Sequence, residues 1–106
     1  MFGRQVTLKL KGNSATELNR INEAEILPIL RKQRGFRDET TFIAPERLEA
    51  IASSFWDTKA DADAYSRTAY PDVLNTLSNV IDGTPTVKNF EFASSTFKQV
   101  AASRLV

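Results

Sequence analysis

The chain has 106 residues, 42% of them hydrophobic and 25% charged, which suits one globular domain and excludes disordered and collagen-like chains. Lys and Arg total 14 against 13 Asp and Glu, so the net charge of +1 gives no pull toward nucleic acid or an anionic membrane. There is no Cys and no His, which excludes disulfides, thiolate metal sites, Ser-His-Asp triads and a proximal His on haem.

Val6, Leu8 and Leu10 alternate with polar residues, so a strand is predicted over about 4–11. Ser14 to Glu17 reads as a capping box opening a helix, with Leu18, Ile21, Ile26, Ile29 and Leu30 at helical spacing and Gly35 closing it. Pro28 falls inside and predicts a kink or break near Ile26–Leu27. Phe36 to Ala44 and Arg47 to Asp57 predict a hairpin around Pro45-Glu46. The first of these strands is polar enough for an edge. The second is small or apolar on both faces, as a covered central strand should be.

Asp57 or Thr58 caps a further helix to about Ala69, and Pro71 starts another with Val73, Leu74, Leu77 and Ile81 on one side. After Asp82 to Pro85 comes a last strand, Thr86 to Ala93. Residues 94–106 form a tail whose Phe97, Val100 and Leu105 predict packing on a partner chain or an edge strand. The glycines, at 3, 12, 35 and 83, form no phosphate loop or dinucleotide fingerprint. There is no apolar leader and no run of 18 apolar residues, so the expected location is cytoplasmic.

The order β-α-β-β-α-β predicts an α+β, ferredoxin-like domain: a four-stranded antiparallel sheet of order 4-1-3-2 with helices on one face. The core is 4–93. The other face needs a cover, since Ile51 and Phe55 lie there; a second copy supplies one, and a homodimer is predicted.

Four segments carry a family resemblance: Ile26 to Phe36 (ILPILRKQRGF), Ser54 to Lys59 (SFWDTK), Ala69 to Leu74 (AYPDVL) and Gly83 to Val87 (GTPTV). Together the chain resembles the antibiotic-biosynthesis-monooxygenase-like domains of the dimeric α+β-barrel superfamily. The resemblance implies a dimeric α+β barrel. It also implies cofactor-independent oxygenation of a small aromatic or polyketide-like substrate, or haem binding and degradation; the competing reading is a non-catalytic dimeric module that binds a small apolar ligand or supports a partner. For haem, Trp56-Asp57-Thr58 resembles the strand Trp turn. However, Tyr65 stands where those relatives have a pocket Trp, and Asn75 where they have the ligating His. None of Gln5, Val6 and Thr7 supplies their first-strand Asn. These departures argue against haem.

Cofactor-free oxygenation needs only a closed apolar pocket, a proton acceptor and a few fixed polar groups, with dioxygen as the second substrate. No cofactor and no metal are expected. The candidate site has Trp56 and Tyr65 in a pocket wall and Asn75 as a polar handle, with Tyr65 and Asn75 as the candidate catalytic residues. Ala50, Ala52, Ser53 and Ser54 are small for a central strand and leave room for a cavity there. Arg31, Lys32, Arg34 and Arg37 end a helix, where cations complement the dipole, and Lys9 and Lys11 read as solvated rim residues. Asp57, Asp61 and Asp63 lack the Gly and closing Glu of a calcium loop.

Overall fold

Alternation along the first strand decides which side of the sheet becomes the core. In β1 (Phe2–Lys9), Phe2, Arg4, Val6 and Leu8 point one way and are buried; Gln5, Thr7 and Lys9 point the other and are more open. The computed structural model describes residues 1–94, and the contacts expected of Phe97, Val100 and Leu105 lie outside them.

After β1 the chain forms α1 (Ala15–Ile21), a π-helical turn (Asn22–Ile26) and α2 (Leu27–Arg31). The expected capping box does not form. Ser14 makes no side-chain cap, and Glu17 turns outward to pair with Arg20, where two opposite charges one turn apart attract. Pro28 has no N–H to return to the preceding turn. The ladder widens just before it, with the Leu27 N–H bonding to the Asn22 carbonyl, and α2 restarts with Pro28 in its first turn. The break therefore takes the form of a π turn. An α-helix advances about 40° beyond a full turn over four residues. The wider turn offsets that drift, and Leu18, Asn22, Ile26 and Leu30 all reach the same cavity.

β2 (Phe36–Ile43) and β3 (Glu49–Trp56) form the hairpin, with Arg47 at φ 65° in its turn. α3 (Lys59–Thr68) is capped by Thr58, whose Oγ1 accepts from the Asp61 N–H at 3.1 Å. α4 (Tyr70–Leu77) and β4 (Thr86–Glu91) complete the chain. The sheet order is β2-β3-β1-β4, all neighbours antiparallel, which is the expected order read from the other edge.

Register fixes two faces. Phe2 pairs with Trp56, Arg4 with Ser54, Val6 with Ala52 and Leu8 with Ala50, all toward the helices. There they meet Leu18, Ile21, Ile26, Leu30, Tyr65, Val73 and Leu77 in one buried cluster. The opposite face carries no helix among the described residues. Phe42 is 63% exposed and Phe90 50% exposed there. Phe55 and Phe92 meet edge to face at 5.4 Å over Gly3.

Candidate functional site

Small side chains on the core face of β3 decide where the two layers part. Ala52 and Ser54 leave a cavity between sheet and helices, floored by Arg4, Val6 and Leu8 of β1 and by Glu39 and Thr41 of β2. Its roof is formed by Leu18, Asn22, Ile26 and Leu30, and by Tyr65, Tyr70, Val73 and Leu77. Its empty space, counted out into the open solvent at its mouth, is about 520 Å³. Most of the wall is apolar with a few convergent polar groups, the pattern of a small-ligand site.

Tyr65 lines this cavity and is buried, in the inward-facing row of α3 with Ala62. Its hydroxyl makes no side-chain hydrogen bond among the described residues. No buried polar side-chain atom there lacks a partner, so this oxygen keeps contact with the open space that the residue lines. Burial pushes its pKa up to about 12, so the phenol remains a hydrogen-bond donor throughout the neutral range.

Trp56 is not in the cavity wall. It is fully buried, with its ring stacked on Tyr65 at 5.0 Å and edge to face with Phe36 at 5.5 Å. Its indole N–H donates to Ser54 Oγ at 2.9 Å. Trp56 sits at the end of β3, one step beyond Ser54 on the same face, so it props up Tyr65 from behind.

Asn75 does not enter the cavity either. It is exposed, because Val73 and Leu77 occupy the inward row of α4 and a residue two positions from each points about 160° away. The bend at Pro71 turns Val73 inward, and Tyr70 on its near side. Lys9 and Lys11 are exposed outside the cavity wall, as are Arg31, Lys32, Arg34 and Arg37.

Two charged groups at the cavity escaped the sequence reading. Arg4 is only 4% exposed. Its Nε donates to Ser66 Oγ at 3.0 Å, and its guanidinium carbon lies 4.0 Å from the Tyr70 ring centroid and 5.4 Å from that of Tyr65. No carboxylate oxygen among the described residues lies within 4.0 Å of it. Glu39 is half-buried; it accepts from Asn22 Nδ2 at 3.2 Å and from the Thr41 hydroxyl. The available signal was parity: Arg4 shares the even face of β1 with Val6 and Leu8. Among the described residues, no group of three or more His, Cys, Asp or Glu is placed to hold a metal ion, and no helix is long and apolar enough to cross a membrane.

Solved structures share this architecture. A monooxygenase from the ActVA-Orf6 gene of Streptomyces coelicolor, solved with nanaomycin D, superposes with a TM-score of 0.75 at 14% identity, covering 91% of this chain and 90% of that one. The chain has the antibiotic-biosynthesis-monooxygenase-like fold. A Bordetella bronchiseptica protein described as a candidate monooxygenase of this kind gives 0.74 at 10% identity, covering 88% and 97%. Rv0793 from Mycobacterium tuberculosis gives 0.69 at 11%, covering 90% and 97%. At these identities the likeness is one of fold. No family model and no curated protein matches the sequence.

Proposed function

We propose that this protein is a cofactor-independent monooxygenase acting on a small aromatic or polyketide-like substrate, and that it works as a homodimer. The observation that carries the reading is the cavity between sheet and helices, apolar except for a few polar groups that include Tyr65 and Glu39. A neighbour of the same fold is a monooxygenase solved with nanaomycin D.

The chemistry asks little of the protein. A substrate with a CH2 next to a ring carbonyl loses a proton to a carboxylate; Glu39, held by Asn22 and Thr41, is the carboxylate that faces the cavity. The resulting enolate reduces dioxygen, and a carbon–oxygen bond forms to give a hydroperoxide. Loss of the second C–H proton then breaks the O–O bond. One oxygen atom stays as the new carbonyl and the other leaves as water, so the four electrons taken by dioxygen all come from the substrate carbon. The Tyr65 hydroxyl donates to the substrate oxygen as charge builds on it.

The test is oxygen uptake with a panel of quinols and anthrones, without added metal. Uptake with one atom of labelled dioxygen incorporated into the product as a new carbonyl supports the oxygenase. Ligand binding without uptake across the panel leaves the non-catalytic dimeric binding module as the better reading.

A further inference from the structure

We propose that Arg4 makes the cavity an anion subsite, so that the preferred ligand is a ring system carrying an ionised oxygen, either a carboxylate or an enolate. The inference deepens the reading of this cavity as a ligand site and does not depend on oxygen chemistry.

Removing a guanidinium from water is costly unless charge or hydrogen bonds replace the lost hydration. Arg4 is more than nine-tenths buried, yet its only side-chain hydrogen bond among the described residues is the Nε contact to Ser66. The faces of Tyr70 and Tyr65 offset part of the cost. The terminal nitrogens have no partner among the described residues, and no buried polar side-chain atom there is left unpaired, so they face open space. On the core side of the sheet that space is the cavity Arg4 lines. A structural arginine in such a place is normally closed off by a carboxylate, but here the nearby carboxylate belongs to Glu39, two strands away. The guanidinium fork matches two oxygens of a carboxylate, or the oxygen pair of a hydroxyquinone enolate. Tyr65 adds a neutral donor on the same wall.

Two matched pairs of probes test this by calorimetric titration at neutral pH. One pair is 2-naphthoate against 2-naphthamide. The other is 2-hydroxy-1,4-naphthoquinone, an enolate at that pH, against its neutral 2-methoxy derivative. The charged member of at least one pair is expected to bind about tenfold or more tightly, the worth of a charge-assisted hydrogen bond. The pair showing the preference names the class of anion. Arg4→Met is expected to bring the two members of that pair to similar affinity. Equal affinities in both pairs, no binding of any probe, or a charge preference retained in Arg4→Met would each overturn the proposal. Should Arg4→Met fail to fold, the carbon shift of the Arg4 guanidinium in labelled wild type decides: the anion must move it and the neutral partner must not. A charge preference in the wild type that Arg4→Met abolishes, alongside failed oxygen uptake, would remove the oxygenase reading and leave the anion subsite standing.

Discussion

Arg4 and Glu39 lie in one row of the sheet with Ser54 between them, since Arg4 pairs with Ser54 across β1–β3 and Glu39 pairs with the same residue across β2–β3. Two strand spacings put their backbones about 10 Å apart. A cation and a carboxylate therefore both line one cavity floor, and they form no ion pair within 4.0 Å. In the proposed scheme a substrate would lie with its acidic C–H toward Glu39 and its oxygen toward Arg4 and Tyr65, all three of which line the cavity.

From this geometry, Glu39→Gln should lower oxygen uptake by about a hundredfold or more on any substrate the panel identifies, the usual worth of a positioned general base. Tyr65→Phe should cost about a hundredfold, through one lost donor to the developing oxyanion. Asn75→Ala should leave uptake unchanged, because Asn75 is exposed outside the cavity wall. Steady-state rates of the three variants check this; a normal rate in Glu39→Gln removes the proton acceptor from the scheme.

The support under Tyr65 is tested through Ser54. Its Oγ accepts the Trp56 N–H at 2.9 Å, and both residues are buried. Ser54→Ala leaves that N–H unpaired in the core, and the expected loss is about 1–3 kcal/mol. Chemical denaturation followed by the fluorescence of Trp56, the single tryptophan, measures it. Unchanged stability would mean that the indole finds another acceptor.

Much of this was legible in the sequence, and the misses have physical causes. Period-two alternation marked β1, and the kink at Pro28 follows from a missing N–H. Small residues on β3 marked where the layers part. The capping box at Ser14 was a local pattern outcompeted by the Glu17–Arg20 pair. Asn75 was placed by its distance from Tyr65 along the chain, whereas the phase of α4 is set by Val73 and Leu77. Arg4 was missed because a charged residue near a terminus reads as surface. Its side chain is covered by Tyr65, Ser66 and Tyr70 of the helices, residues more than sixty positions away in the chain.

Tyr65 makes stability depend on alkaline pH. Its pKa rises from 10.0 to about 12 because burial disfavours the phenolate. Between those values the unfolded chain has released the proton while the folded chain still holds it. Stability from this group is thus complete below about pH 10 and is lost as pH rises toward 12, by on the order of 2–3 kcal/mol. Ultraviolet titration should show a phenolate phase near pH 12 that is absent from Tyr65→Phe, and the variant's stability should fall less steeply over the same range. A Tyr65 phase at pH 10 would contradict the buried placement.

Gly35 joins α2 to β2 at φ 78°, a conformation that costs an L-residue about 1–2 kcal/mol. A Cβ there would also come within 2.7 Å of Asp61 Cβ in the first turn of α3. Gly35→Ala should therefore cost about 2 kcal/mol or more, read by thermal or chemical denaturation. A loss below half of that would mean that the helix moves aside freely.

The open face of the sheet carries the last prediction. Phe42 and Phe90 lie there, 63% and 50% exposed, with Ile51, Phe55 and Phe92 half-buried between and beside them. Aromatic rings in that arrangement suit a second sheet packed face to face, and a stable interface of this kind buries on the order of 1,200–2,000 Å². Sedimentation equilibrium of the wild type should give about twice the 11.8 kDa chain mass. Phe42→Glu combined with Phe90→Glu puts two charges into that contact without touching the helix-side core, so the expected product is a folded monomer at micromolar concentration. A wild type that sediments as a monomer would defeat the dimer. A doubly substituted chain that stays dimeric would move the interface to another surface.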